Sequence, residues 1–293
     1  MGSDTVKPPN AFSLFLWNPN TKECLGKTGK SWCLLIFFFI VFYICLGGFF
    51  AVNILAFQST LNELEPKYYG KTSILGGTPG MGFRPQPDTE AVLIHFSVSS
   101  NKTHSQYVKA LDTFLEAYQP VAQQGPHFIT CDKSMGAPAD RVCKFPIPKL
   151  PGCERENSYG FKDGKPCVIL TLNKIFAWIP ELHDSISIAA ANAPDELLQR
   201  FREGSIGVSC NGREEMDVQH IGQVEYASAS GFSAEYYPYW NQDGYIQPFV
   251  FARFKNLKRD VAVNIECKAW ARNIHMDSRN RKGIVSFAIM VDN

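Results

Sequence analysis

Residues 32–57 read WCLLIFFFIVFYICLGGFFAVNILAF, and this run decides how the rest of the chain is read. Its 26 positions contain no Asp, Glu, Lys, Arg, His or Pro. A helix that crosses a bilayer needs about 20 predominantly apolar residues. At 1.5 Å per residue the run reaches roughly 39 Å, against a hydrocarbon core of about 30 Å. Tilt, or emergence around Asn53, absorbs the excess. No other run in the sequence is long enough to span. The sequence therefore predicts three parts: a tail over 1–31, a transmembrane signal-anchor helix over 32–57, and a large domain over 58–293.

The flanks predict the orientation. Lys22, Lys27 and Lys30 precede the run with only Glu23 opposing them, whereas Glu63 and Glu65 come first on the far side, ahead of Lys67. That lysine excess favours a cytoplasmic N-terminal side. A cleaved signal peptide fits poorly, because the run starts late and Gln58-Ser59-Thr60-Leu61 offers no small-residue cleavage site. The expected topology is single-pass type II, with the C-terminal domain outside the cell.

Nine cysteines divide along the same line. Cys24, Cys33 and Cys45 lie before or within the run, and Cys131, Cys143, Cys153, Cys167, Cys210 and Cys267 lie beyond it. An even set of six in an extracellular domain reads as a disulfide framework, and six cysteines permit fifteen connectivities. A metal site is the lesser alternative, since the intervals are long and no Cys/His zinc spacing accompanies them. Asn101-Lys102-Thr103 is a glycosylation sequon on the same side.

The tail is short and polar, with an apolar island at Phe12, Leu14, Phe15, Leu16 and Trp17 and a turn at Asn18-Pro19-Asn20. It is expected to be loosely ordered, or to lie with its island against the membrane surface or a partner. Gly26-Lys27-Thr28-Gly29-Lys30 has the wrong spacing for a nucleotide-binding loop. Within the span, Phe39, Tyr43, Gly47 and Ala51 recur every fourth residue and share a face. Gly47 and Ala51 are small enough to admit a neighbouring helix, and Tyr43 carries a hydroxyl toward the bilayer centre, where a partner helix could accept its hydrogen bond.

Beyond the membrane, 74–87 is punctuated by Gly and Pro and is expected to be extended or irregular. Strands are expected at 91–98, 167–172, 205–210 with an Asn211-Gly212 turn, 245–254 with an edge or bulge at Pro248, 262–267 and 284–291. A helix is expected over 105–119, where Tyr107, Leu111, Phe114, Leu115 and Tyr118 share one face and Pro120 marks the end. A shorter surface helix is expected over 195–202. These elements predict a mainly-β domain, an antiparallel sheet or sandwich with the helix packed across it.

A formal net charge of +1 gives no field that would point to nucleic acid. No His-Glu-x-x-His, Asp-x-Asp or Gly-x-Ser-x-Gly pattern occurs, and the six histidines are scattered. No catalytic residue, metal ligand or cofactor site is assigned. The main enzyme rival, a type II glycosyltransferase, needs a nucleotide-sugar site that the sequence does not supply.

Several short blocks then combine in order and spacing. They are Asn18-Pro19, residues 26–32, the span around Phe42-Tyr43-Ile44-Cys45-Leu46, residues 166–174, Tyr236-Tyr237-Pro238-Tyr239, Leu257, and Ile265-Glu266-Cys267-Lys268-Ala269. Over nearly its entire length the chain resembles the beta subunits of sodium/potassium-transporting ATPases. Phe39 stands where the family often has tyrosine, Tyr239-Trp240-Asn241-Gln242 replaces the usual Tyr-Tyr-Gly-Lys, and only one sequon is present. These departures mark a divergent, invertebrate-like member. The resemblance implies an immunoglobulin-like antiparallel β-sandwich and the pairs Cys131–Cys143, Cys153–Cys167 and Cys210–Cys267. It also implies a non-catalytic plasma-membrane subunit that escorts and stabilises a catalytic alpha subunit and tunes potassium interaction, with no cofactor of its own. A small single-span regulatory subunit and membrane lipid are the further partners. The segment with Tyr236, Tyr237, Tyr239, Tyr245, Phe249 and Phe251 is expected to face the outer loop between alpha's seventh and eighth spans. A proton/potassium pump beta subunit is the nearest alternative, and a type II adhesion protein a more distant one.

Overall fold

The computed structural model describes residues 11–19, 21–74, 76–88, 90–132, 136–228 and 231–293, which divide into two units, Met1–Glu63 and Leu64–Asn293. In the first unit, helix α1 (Ala11–Leu16) leads into a three-stranded antiparallel meander. Its strands are β1 (Trp17–Asn18), β2 (Glu23–Cys24) and β3 (Lys27–Thr28). Leu25 and Gly26 both take positive φ (54° and 73°) between β2 and β3. That is the backbone of a two-residue hairpin turn, and glycine adopts it without steric cost. Three strands of two residues each and a one-and-a-half-turn helix stand where composition allows a loosely ordered tail.

Thr28 leads directly into α2 (Gly29–Gln58), 30 residues that rise roughly 45 Å. None of its residues is buried within the chain, so the whole apolar surface faces outward. Its one polar residue deep in the C-terminal half is satisfied locally: Asn53 Nδ2 donates to Phe49 O at 2.7 Å. At the C-terminal end the hydroxyls of Ser59 and Thr60 bond the carbonyls of Ala56 and Phe57 at 2.8 and 2.7 Å. The exposed, unbroken apolar helix is what a single membrane anchor requires.

The second unit is mostly β. In chain order its elements are β4 (Met81–Arg84), β5 (Leu93–Ser97), α3 (Asn101–Glu116), β6 (Phe128–Ile129), β7 (Val142–Cys143) and β8 (Cys167–Leu172). Then follow α4 (Ser185–Ala190), α5 (Asp195–Arg200), β9 (Ser205–Gly212), α6 (Glu215–Ile221), β10 (Val224–Tyr226) and β11 (Gly231–Ser233). Three strands close the chain: β12 (Phe249–Phe254), β13 (Ala262–Trp270) and β14 (Ile284–Asp292). An antiparallel four-stranded sheet has the order β10-β12-β8-β4, and a five-stranded sheet has the order β11-β9-β13-β14-β5. The two meet through aromatic rings: Phe83 of β4 stacks on Phe287 of β14 at 4.7 Å, and Phe254 of β12 meets the same ring edge-on at 6.1 Å.

The five-stranded sheet corrects the expectation of a purely antiparallel arrangement. β14 pairs with β5 in parallel, Ala288 opposite Leu93 and Asp292 opposite Ser97. No hairpin links these strands, so no turn imposes an antiparallel pair.

Other differences also have local causes. Asn211 and Gly212 are the last residues of β9, opposite Glu266 and Ile265, not a turn. A Cβ on Gly212 would lie 2.1 Å from Val218 N, so glycine is there to let α6 press onto the strand. Within the stretch expected to be extended or irregular, Met81–Arg84 is extended as β4, with Met81 and Phe83 inward and Gly82 and Arg84 less buried. Pro248 lies just before β12, which is an interior strand and not an edge. Helix α3 begins four residues earlier than periodicity suggests, whereas α5 is the short surface helix expected, with Asp195, Glu196 and Gln199 exposed and Leu197 buried beneath them.

Candidate functional site

Two surfaces carry the residues that the sequence singles out. On α2, Phe39 and Tyr43 stack with centroids 6.1 Å apart. Phe39 is 43% exposed and Tyr43 62%. A Cβ placed on Gly47 meets nothing within 4 Å, and Ala51 is exposed one turn further on. The Tyr43 hydroxyl bonds none of the described residues, its own helix backbone included. The helical period does bring Phe39, Tyr43, Gly47 and Ala51 into one open stripe, flat at Gly47 and polar at Tyr43.

The outer aromatic segment divides differently. Tyr236, Tyr237, Phe249 and Phe251 are buried to 9% exposure or less, so their rings belong to the core of this unit. Phe249 lies in β12, a strand buried on both faces, where Tyr118, two residues past the end of α3, meets it edge-on at 4.9 Å and Phe145 lies 5.2 Å away. Tyr237 packs on Trp178 at 5.5 Å, with its hydroxyl buried and unpartnered among the described residues. Burial holds its pKa well above 10.0, so it is neutral. β12 is an interior strand with both faces covered, so its successive residues from Phe249 to Ala252 are all core, which a count of aromatics does not register.

Tyr239 and Tyr245 are the members that reach the surface. Their rings lie 4.8 Å apart. The Lys174 ammonium sits 5.6 and 5.4 Å from the two centroids, within reach of a cation–π interaction with both. The Tyr239 hydroxyl donates to Asn241 Oδ1 at 2.9 Å. A parallel bridge joins Tyr239 to Phe176, whose ring meets Trp240 at 5.8 Å and Tyr69 at 5.1 Å. Trp240 is tied down by its Nε1, which donates to Ala137 O at 3.2 Å. Beside it a shallow cavity of about 370 Å³ is lined by His127, Trp240, Asn241 and three carboxylates, Glu65, Asp140 and Asp243. Lys174, Phe176 and Trp240 were not chosen from sequence. Their signal was position, in the loop after β8 and beside Tyr239, not pattern.

Three disulfides hold this unit: Cys131–Cys143, Cys153–Cys167 and Cys210–Cys267. The last joins residues directly opposite each other in β9 and β13. Cys24, Cys33 and Cys45 are free and exposed. Asn101 is the first residue of α3, and the sequon's Thr103 accepts a hydrogen bond from Ser97 N at 3.0 Å.

Comparison with known proteins places this architecture. The family model described as the sodium/potassium ATPase beta chain matches residues 3–287. The chain belongs to this family. Its members are non-catalytic subunits, and this beta chain is therefore not an enzyme. It is 33% identical over 303 residues to the probable sodium/potassium-transporting ATPase subunit beta-3 of Caenorhabditis briggsae, covering 100% of this chain and 90% of the relative. It is 34% identical over 292 residues to subunit beta-2 of Drosophila melanogaster, covering 94% and 90%. To the human beta-2 subunit it is 28% identical over 295 residues, covering 95% and 93%. The beta chain thus matches invertebrate relatives more closely than this vertebrate one, as its departures from the family pattern suggest.

Proposed function

We propose that this chain is the beta subunit of a sodium/potassium-transporting P-type ATPase, pairing with a catalytic alpha subunit that it stabilises and delivers to the plasma membrane. The observation that carries the reading is the end-to-end match to beta subunits in a chain with one helix, among the described residues, long and apolar enough to cross a membrane. A single span cannot enclose an ion path, so transport and ATP hydrolysis belong to the partner. In this reading residues 1–31 are cytoplasmic, 32–57 cross the membrane and 58–293 are outside. The lysine bias, the free thiols before Glu63 and the disulfides after Leu64 support that direction. Asn101 then carries a glycan. The family resemblance supports classing the two-sheet domain as immunoglobulin-like.

The Phe39, Tyr43, Gly47 and Ala51 stripe is the intramembrane docking face, since it is open, flat at Gly47 and offers one unpaired hydroxyl. Outside, the half-buried Tyr239, Tyr245 and Trp240 with the exposed Lys174 form the surface for alpha's outer loop between spans seven and eight, through which the subunit tunes potassium interaction. A small single-span regulatory subunit can share the complex. Purification from native membranes in mild detergent tests the reading. It should recover a partner of about 100 kDa with ouabain-sensitive, potassium-stimulated ATPase activity. Gly47→Leu with Tyr43→Ala should reduce that recovery without preventing membrane insertion. A complex that contains no P-type ATPase overturns the assignment, and one with proton/potassium activity transfers it to the related pump.

A further inference from the structure

The first unit exposes an apolar surface outside the spanning helix. Phe12, Phe15, Leu16, Trp17 and Leu25 are 42–72% exposed. They belong to a small folded module. Leu25 N donates to Leu16 O at 3.3 Å, and Phe15 Cε2 comes within 4.0 Å of the position a Cβ would take on Gly26. The module is fastened to the head of α2, because Trp32 Nε1 donates to Cys24 O at 2.8 Å and the Lys27 ammonium lies 5.8 Å from the Trp32 ring. Lys22, Lys27 and Lys30 are exposed on it, while the opposing Glu23 is half-buried and accepts from the Thr21 hydroxyl at 3.0 Å.

We propose that α1 and the β1–β3 meander form an interfacial anchor that binds an anionic lipid surface. The inference rests on α2 crossing the bilayer. Continuity with α2 puts the patch at the level where headgroups meet acyl chains, where Trp and Phe side chains gain most from partial immersion. Lysine stems lie along apolar surface while their ammonium groups reach the headgroup phosphates and carboxylates. Each lysine near an anionic surface contributes roughly a fivefold preference. The meander is too small to bury these side chains in a core of its own, and its charge matches an anionic leaflet.

The test uses the full chain in nanodiscs of phosphatidylcholine, with or without phosphatidylserine. An environment-sensitive fluorophore is placed on Cys24 in a Cys33→Ser/Cys45→Ser background, and nitroxide-bearing lipid is the quencher. A label on Cys45, in a Cys24→Ser/Cys33→Ser background, reports the spanning helix separately. The Cys24 label should be quenched, and several-fold more so with phosphatidylserine. Lys22→Gln/Lys27→Gln/Lys30→Gln should remove the phosphatidylserine increment, and Phe15→Ser/Trp17→Ser should reduce quenching in both lipids. Quenching at Cys24 that ignores lipid charge and both sets of substitutions, with Cys45 still quenched, overturns the proposal. So does a Cys24 label that is shielded only when a larger protein is bound. Loss of quenching at Cys45 overturns the spanning reading itself.

Discussion

Gln123 shows how much one polar side chain can hold in this domain. Its amide is buried, with Nε2 donating to Tyr118 O at 2.7 Å and Phe145 O at 2.9 Å, while Oε1 accepts from Phe145 N at 2.8 Å. It joins the end of α3 to the chain just beyond Cys143, beside the Tyr118, Phe145 and Phe249 rings. Gln123→Leu keeps the approximate volume but leaves a buried N–H and two carbonyls without their partner. Each orphaned group costs about 1–3 kcal/mol. Urea unfolding should show a loss of about 3 kcal/mol, and an unchanged midpoint would remove the amide from the account. Nothing in the sequence marks Gln123, because a glutamine in a polar stretch reads as solvated until its surroundings are known. Tyr43, by contrast, stands out in the sequence through its rarity in an apolar run. Aromatic character alone does not separate Phe249 and Phe251, which are buried, from Tyr239 and Tyr245, which are half-buried.

Helix α3 and strand β5 were legible as separate elements, the helix from its fourfold spacing and the strand from its β-prone run. Their joint role was not. β5 is the outer strand of the five-stranded sheet, so His95 and Ser97 turn their backbone groups away from β14. Two hydroxyls of α3 meet them. Tyr107 accepts from His95 N at 3.0 Å and donates to His95 O at 3.2 Å. Thr103 accepts from Ser97 N at 3.0 Å, while its single proton goes to Ser100 O at 2.7 Å with Ser97 O a longer 3.2 Å away. An unpaired strand edge invites pairing with another chain, and here side chains close it. Tyr107→Phe keeps the ring that stacks on Phe161 at 5.6 Å and removes only the hydroxyl. Combined with Thr103→Val it should cost about 1–2 kcal/mol per site and promote self-association. Unfolding curves and size-exclusion chromatography check both effects, with Asn101→Gln as the control for the lost sequon. Unchanged stability and a monodisperse peak would show that the edge needs no cap.

At the scale of the whole chain, the apolar run and the six distal cysteines pointed to an anchor and a cross-linked C-terminal domain. Spacing alone could not pair the cysteines, because Cys210 and Cys267 come together only when β9 and β13 align. That bond closes a loop of 57 residues. In the chain-entropy account such a loop stabilises by about 4 kcal/mol. Cys210→Ser should therefore lower the unfolding midpoint of the outer domain sharply, whereas Cys24→Ser should leave it in place. Equal effects would deny the disulfide its structural weight. Long-range pairing was also what periodicity could not supply for β5 and β14, where the bonded pair His95 and Asp292 stand 197 residues apart. The parallel pair has a consequence in time. Ile94 and Phe96, 1% exposed in the finished fold, are translated long before the strand that covers their flank. At 5–20 residues per second, the wait lasts roughly 10–40 s. Through that interval the nascent domain is a half-made sheet on offer to chaperones, and its last strand sets the clock for release.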